Sequence, residues 1–151
     1  MPRTDFRFAH RMRVRYAEVD PQRIVFNTRY LEYFDVGITE YFRAAGLHDE
    51  PGEGAEFHVA RNTIDYKAPL RSDELFDVCL RCARIGNSSM TYEWEIHGLD
   101  FGEGADDLRA LGTSVSVHVG QLGHGPSPVP RGIVDVFEAF EGRTLKLEKA
   151  A

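Results

Sequence analysis

The 151-residue chain is 42% hydrophobic, which is enough apolar sequence for one compact domain with its own core and too little for two. Its 24 acidic residues outnumber its 18 basic residues, and the net charge of −6 argues against a general nucleic-acid binder. An anionic ligand would therefore need a local patch of basic residues.

The N-terminal segment contains no apolar run long enough for a signal peptide or a membrane span, because arginines interrupt its only hydrophobic pattern. We therefore expect a cytoplasmic protein. The two cysteines, Cys79 and Cys82, have the spacing of redox and zinc sites, but they lie in a strand-like run without a partner pair elsewhere. Their odd spacing puts them on opposite faces of a strand, so we expect two reduced, packed thiols.

Residues 6–16 alternate strictly, which predicts a half-buried strand whose inner side carries Phe6, Phe8, His10, Met12, Val14 and Tyr16. Apolar residues at helical spacing then predict a long helix over about 28–45, with Asn27 as its N-cap and Gly46 as its stop. Gly37 inside this helix predicts close packing against a neighbouring backbone.

Residues 48–56 predict a loop, and four strands follow over about 57–67, 74–85, 90–97 and 108–119. In the third of these, the pattern places Met90, Tyr92, Trp94 and Ile96 inward and Thr91, Glu93, Glu95 and His97 outward. In the fourth, it predicts an inner row of Leu111, Thr113, Val115, Val117 and Val119.

Three prolines end the strand region, and Pro130 leads into a short helix predicted over 132–140. The charged tail over 142–151 is expected to be flexible. A strand, a long helix and four further strands predict an α+β fold, in which an antiparallel sheet of about five strands covers one hydrophobic helix. We expect residues 1–151 to form this single domain.

Two motifs resemble the hot-dog-fold acyl-CoA thioesterases of the 4-hydroxybenzoyl-CoA thioesterase type. The more specific motif is Asp20-Pro21 followed by Ile24-Val25-Phe26-Asn27 and Tyr30-Leu31, and the second runs from Ile64 to Leu70 with Asp73 shortly after. The resemblance covers most of the chain, from about Arg13 to Pro130. It implies a five-stranded sheet wrapped around the central helix, dimers joined through their sheets, and frequently tetramers made of two such dimers.

The resemblance also implies an active site. The catalytic carboxylate of the family falls on Asp20, and the backbone N–H that it directs at the thioester oxygen falls on Asn27. A helix N-terminus can stabilise the negative charge that develops on a thioester oxygen under attack. Asp20 would either attack the carbonyl to form an anhydride or activate a water molecule, and the sequence leaves both routes open.

The chain departs from the family pattern at three positions. Arg23 stands where many relatives have glycine, which restricts the backbone and could project a cation towards the pocket or the CoA phosphates. Asn27 stands where one branch has histidine and another tyrosine, so only its backbone role carries over. Ile38 occupies a helix position that is often arginine, which affects either the ligand surface or only the packing.

Further residues are candidates for the substrate site. Phe26, Tyr30 and Tyr33 form either an aromatic wall for an acyl or aryl group or part of the core. Lys67, Arg71 and Arg84 are candidate contacts for the CoA phosphates, and His58 either faces the pocket or lies on the surface. A second lineage of hot-dog thioesterases places its carboxylate on the helix, which makes Glu32, Asp35 and Glu40 rivals to Asp20.

The sequence therefore predicts an acyl-CoA thioesterase that releases a free acid and CoA, without a metal or a bound cofactor. We expect a homo-oligomer, either a dimer or a homotetramer, that binds acyl-CoA and neither nucleic acid nor membrane. Two alternatives stay open. One is an enoyl-thioester dehydratase or hydratase, which would need a histidine to accompany its acid. The other is a protein that binds acyl-CoA without turning it over.

Overall fold

The computed structural model describes residues 2–47, 56–120 and 125–147. Within these residues the chain forms five strands and two α-helices, in the order β1 (Phe8–Arg13), α1 (Arg29–Ala45), β2 (Phe57–Tyr66), β3 (Leu75–Ile85), β4 (Ser89–Gly98), β5 (Leu108–His118) and α2 (Arg131–Glu141). Short 3-10 turns cover Arg3–Asp5 and Tyr16–Glu18. Most of the loop predicted over 48–56 lies outside the described residues.

The five strands form one antiparallel sheet with the order β1-β3-β4-β5-β2. The predicted fold class is therefore confirmed, and the bounds of the four later strands agree with the prediction to within one residue at each end. Strand β1 is shorter than predicted because the chain turns away at Tyr16, whose side chain is 90% exposed. The assignment of Tyr16 to the inner side is therefore wrong.

Helix α1 packs across one face of the sheet, mainly against β1 and β3. Gly37 makes this approach possible, since a Cβ there would lie 2.8 Å from Cγ1 of Val78 and 3.9 Å from Cδ1 of Leu80. We expected a backbone neighbour for Gly37, and the structure shows buried side chains instead. Helix α2 lies beside α1, and the ring of Tyr41 stacks on that of Phe137 with 5.5 Å between centroids.

The inner row predicted for β5 is wrong, because the other set of side chains faces the helix. Trp94 of β4 is inward as predicted and pairs with Gly112, and Ala110 and Ser114 on the same face are fully buried. Small residues occupy this row because the indole fills the space, as a Cβ on Gly112 would lie 2.5 Å from Trp94. The predicted row lies on the opposite face, and its members within β5 are Leu111, Thr113, Val115 and Val117.

The outward residues of β4 are also more buried than predicted, with Thr91, Glu95 and His97 at most 5% exposed. Polar contacts from the N-terminal segment and from residues 99–107 cover this part of the outer face. Arg3 bonds to Asp77, which pairs with His97 across the sheet, and Nδ1 of His97 accepts a hydrogen bond from the Asp107 N–H at 2.9 Å.

Of the tail expected to be flexible, the structure describes residues 142–147, which hydrogen bonds attach to β3 as far as Leu147. Residues 148–151 lie outside the described residues. Leu145 is 2% exposed, its carbonyl accepts a hydrogen bond from the Ile85 N–H, and Lys146 pairs with Ile85 in a parallel bridge. Both cysteines are reduced and buried, as predicted. Among the described helices, none is long and apolar enough to cross a membrane.

Candidate active site

The loop between β1 and α1 contains a tight turn that presents Asp20. The Asp20 N–H donates to the Ile24 carbonyl at 2.9 Å, and the Arg23 N–H donates to the Asp20 carbonyl at 2.8 Å. Val19 and Val25 pair in an antiparallel bridge just outside these bonds. This is a three-residue hairpin loop, in which Pro21 supplies the fixed φ of a β-turn and the next position but one takes a left-handed conformation.

Arg23 occupies that left-handed position, with a φ of 65°. Glycine is the usual residue there because a Cβ makes the left-handed region unfavourable. The geometry of the turn therefore favours glycine at this position. The arginine of this chain keeps the same turn at a conformational cost.

One oxygen of the Asp20 carboxylate is held by a hydrogen bond from the loop, and the other is available to a ligand. Its Oδ1 accepts a hydrogen bond from the Gln22 N–H at 2.8 Å, and within the described residues Oδ2 has no hydrogen-bond partner. The residue is half-buried and lines a depression of about 800 Å³, here named the Asp20 depression. The depression is lined by Tyr16, Ala17, Val19, Asp20, Pro21, Arg23 and Ser72.

Asn27 is not the N-cap of α1, because Thr28 holds that position and Arg29 begins the helix. The Asn27 carbonyl accepts hydrogen bonds from the Tyr66 hydroxyl at 2.9 Å and from the Tyr30 N–H at 3.4 Å. In the part of the chain that the structure describes, the Asn27 N–H has no hydrogen-bond partner. A free amide at a helix start is a donor for a developing negative charge.

Asn27 lines a second depression, of about 340 Å³, here named the Asn27 depression. Tyr30 is 3% exposed and forms part of its wall, and its ring lies edge-on to that of Tyr66 with 5.2 Å between centroids. Lys67 is an exposed cation on the rim. The full lining is Ile24, Val25, Asn27, Tyr30, Tyr66, Lys67, Ala68 and Pro69.

The structure thus places the predicted site residues in two separate depressions or outside both. Asn27, Tyr30 and Lys67 line the Asn27 depression, whereas Asp20 and Arg23 line the Asp20 depression. Phe26 is 47% exposed and His58 is bonded to Glu56 at 3.1 Å, and neither lines a described depression. Tyr33, the third candidate for an aromatic wall, is 1% exposed and belongs to the core.

The acidic rivals on α1 lie on its charged surface. Glu32 pairs with Arg29 at 2.9 Å, Glu40 pairs with Arg43 at 2.6 Å, and Asp35 is exposed. None of these acids lines either described depression.

Glu18 is a structural residue of the site that the sequence analysis missed. Its side chain is 2% exposed and accepts hydrogen bonds from the Arg15 N–H, the Arg15 guanidinium and the Tyr33 hydroxyl at 2.7–2.9 Å. Burial alone would raise the pKa of Glu18, but these hydrogen bonds outweigh it and hold the pKa below its usual value. Glu18 therefore anchors the loop that carries Asp20 to the buried side of α1.

Arg109 is a second supporting residue that the sequence analysis missed. It is 3% exposed, and its guanidinium bonds to Asp107 and Glu74 and donates to the Pro69 carbonyl at 2.8 Å. Its own carbonyl accepts hydrogen bonds from the N–H groups of Lys67 and Ala68. Arg109 thereby fixes the 67–69 segment that lines the Asn27 depression.

The comparisons with known proteins agree with this architecture. A family model described as the thioesterase superfamily matches residues 22–105. A thioesterase from Thermus thermophilus, solved in complex with coenzyme A and zinc, is 29% identical with a TM-score of 0.75, and the match covers 92% of this chain and 98% of that chain.

Two further solved structures resemble this chain over most of its length. A Pseudomonas aeruginosa protein is 26% identical with a TM-score of 0.79, covering 97% of this chain and 99% of that chain. A 1,4-dihydroxy-2-naphthoyl-CoA thioesterase from Synechocystis shares the fold at 17% identity with a TM-score of 0.74, covering 86% of this chain and 94% of that chain. The chain therefore belongs to the thioesterase superfamily, as a hot-dog-fold enzyme that hydrolyses thioesters.

Proposed function

We propose that this protein hydrolyses an aryl-CoA or a short- to medium-chain acyl-CoA to the free acid and CoA, with Asp20 and Asn27 as its catalytic residues. The observation that carries the proposal is the loop between β1 and α1. This loop presents the half-buried Asp20 carboxylate, which has one free oxygen, in the turn that Arg23 closes. It also presents the unpartnered N–H of Asn27 where the helix starts.

The amide of Asn27 is the oxyanion donor in this proposal. Attack on a thioester carbonyl converts its oxygen into an alkoxide, and an amide N–H at a helix start stabilises that charge without reorganising. The Tyr66 hydroxyl supports this role, because its hydrogen bond to the Asn27 carbonyl fixes the backbone directly after that amide. The side chain of Asn27 needs no part in the chemistry.

Asp20 has two possible roles. As a nucleophile, its free oxygen bonds to the carbonyl carbon, the C–S bond breaks, CoA leaves as a thiolate that takes up a proton, and water cleaves the resulting anhydride. As a general base, it accepts a proton from water while that water attacks, and the proton then passes to the departing thiolate. Neither route requires a metal or a bound cofactor.

Three features support acyl-CoA as the substrate class. The Asn27 depression has an apolar wall that includes Ile24 and Tyr30, which suits an acyl or aryl group. Lys67 on its rim is a cation suited to the phosphates of CoA. The Thermus thermophilus relative was solved with coenzyme A bound.

We further propose that the enzyme works as a homo-oligomer. Strand β2 is a ten-residue strand at one edge of the sheet, with most of its residues exposed. A long unpaired edge readily accepts another strand, and β2 of a second copy could pair with it. Since Lys67 follows directly after β2 and lines the Asn27 depression, such pairing would bring the second copy next to that depression.

The hydratase alternative receives no support from the described residues. A hydratase would need a histidine beside its acid, and no described histidine lines either depression. Product analysis separates the two reactions, because hydration leaves the thioester intact whereas hydrolysis releases a thiol.

The test is thiol release from benzoyl-CoA, phenylacetyl-CoA and a chain-length series, measured for the wild type, Asp20→Asn and Asp35→Asn. We expect Asp20→Asn to lower kcat by about 10²- to 10⁴-fold with a smaller change in KM, because the carboxylate acts mainly in the transition state. Asp35→Asn is the matched control on the exposed surface of α1 and should keep wild-type turnover.

Unchanged turnover in Asp20→Asn would overturn the catalytic assignment, and a loss in Asp35→Asn instead would transfer it to the helix. Tight CoA binding by a wild type that releases no thiol from any substrate would favour the non-catalytic alternative.

A further inference from the structure

We propose that Arg23 is a specificity-determining residue that binds an anionic group of the thioester substrate, either a phosphate of CoA or a carboxylate on the acyl group. The inference rests on the proposed function and adds a recognition role to the same site. It depends on three observations, which concern the backbone, the side chain and the surroundings of this residue.

The backbone of Arg23 adopts a conformation that disfavours its own side chain. Its φ of 65° closes the turn after Asp20, where glycine would fit without strain. The other described non-glycine residue with positive φ is Asp73, and aspartate is among the residues that tolerate this region. Arginine has no such local advantage, so the turn gains nothing from it.

The side chain of Arg23 has no structural task within the described residues. It is exposed and forms neither an ion pair nor a side-chain hydrogen bond there, although Asp20 lies only three positions away. Several other described arginines are engaged, such as Arg15 with Glu18 and Arg13 with Asp73. The guanidinium of Arg23 is therefore free to bind a group from outside the chain.

The surroundings of Arg23 are suited to an anion. It lines the same depression as Asp20, so a bound group would lie close to the proposed reaction centre. Two other exposed cations without side-chain partners in the described chain flank this loop, namely Lys67 on the rim of the Asn27 depression and Arg71, which pairs with Ile24. Three exposed cations without side-chain partners in the described part of the chain thus lie around one loop of an acidic protein.

The guanidinium fork fits phosphate and carboxylate oxygens equally well, because both accept two parallel hydrogen bonds. An acyl-CoA carries phosphates on its carrier and, in some substrates, a carboxylate on its acyl group. Substrates that differ in only one of these groups therefore identify which of them Arg23 recognises.

The experiment compares the wild type with Arg23→Gly, which removes the cation and suits the turn, and with Arg23→Lys, which keeps the charge but not the fork. Arg131→Ala is the control, since it removes one exposed positive charge from α2, where Arg131 pairs with Asp135. The substrates are hexanoyl and adipoyl thioesters, each on CoA and on N-acetylcysteamine, which has no phosphate. Calorimetric titration with CoA gives a readout that does not depend on turnover.

We expect Arg23→Gly to lower kcat/KM by about tenfold, as for one charge-assisted hydrogen bond, with a smaller loss in Arg23→Lys and none in Arg131→Ala. A loss on both CoA thioesters that is absent on both N-acetylcysteamine thioesters assigns Arg23 to a phosphate. A loss on both adipoyl thioesters that spares both hexanoyl thioesters assigns it to the acyl carboxylate.

Two results would overturn the inference while leaving the proposed function intact. The first is wild-type kcat/KM in Arg23→Gly on every substrate, and the second is an equal loss on hexanoyl-N-acetylcysteamine, which has no anion to bind. If the wild type releases no thiol from these thioesters or from the aryl-CoA and acyl-CoA series of the previous test, the proposed function fails instead. Titrations with CoA and with adipoyl-CoA then decide, because a tenfold weaker Kd for either ligand in Arg23→Gly supports the inference and equal Kd values for both refute it.

Discussion

Replacing Glu18 should destabilise the protein and show how the loop that carries Asp20 is held. In Glu18→Ala the Tyr33 hydroxyl loses its acceptor in a buried position, which costs about 1–3 kcal/mol. Loss of the hydrogen bond from the Arg15 N–H costs about another 1 kcal/mol. The Arg15 guanidinium adds little, because that side chain is 74% exposed and solvent screens it.

We therefore expect Glu18→Ala to lower the free energy of unfolding by about 3 kcal/mol, measured as a shift of the urea midpoint at constant slope. Tyr33→Phe should cost about 1–2 kcal/mol on its own, and the double variant should cost at least 1 kcal/mol less than the sum, since both changes remove one hydrogen bond. Glu32→Ala is the control, because Glu32 is 54% exposed and its ion pair with Arg29 is worth about 0.5 kcal/mol at most. A Glu18→Ala midpoint equal to that of Glu32→Ala, or strict additivity with Tyr33→Phe, would refute the anchoring role.

Two predictions concern titration. Folding lowers the pKa of Glu18, so the ionised side chain stabilises the folded protein above the unfolded pKa of about 4.5, and this stabilisation is lost as the pH falls through the folded pKa. The urea midpoints of the wild type and Glu18→Gln should therefore converge below pH 4.5. A constant difference between the two midpoints down to pH 3 would contradict this. Burial raises the pKa of Cys79 and of Cys82 to about 12. A disulfide reagent at pH 8 should therefore modify neither thiol in the native protein and both thiols in urea. Rapid modification of the native protein would contradict this, because it would show that one thiol is accessible.

The order and the bounds of the elements could be predicted because each depends on a local pattern. Helix α1 was predicted to within one residue from its apolar spacing and Gly46, whose φ of 94° closes the helix. The facing of β5 could not be predicted in this way. Its most apolar row lies on the outer face, and the inner row is made of small residues under Trp94, so the pattern depends on a neighbour in another strand.

Only part of the candidate site could be predicted from the sequence. The family motif predicted Asp20 as the carboxylate and Asn27 as the amide donor, and the structure places both residues on the loop before α1. Glu18 and Arg109 were missed because their roles come from burial and from partners distant in sequence, such as Tyr33 and Pro69. Charged residues in a linear sequence usually indicate surface, and only tertiary contacts reveal these two as supports.

The strand order β1-β3-β4-β5-β2 also constrains how the chain can fold. Strands β3, β4 and β5 are consecutive and pair as neighbours, so this meander can form from contacts that are short in sequence. Strands β1 and β2 are made earlier, yet their partners are β3 and β5, so both must wait for the meander before they can add to its opposite edges. On the ribosome, β2 is therefore synthesised well before any partner strand of its own chain exists. The strand that offers an edge to a second copy in the finished fold thus also stays unpaired during synthesis until β5 has been made, and partial folding would leave it open to aggregation.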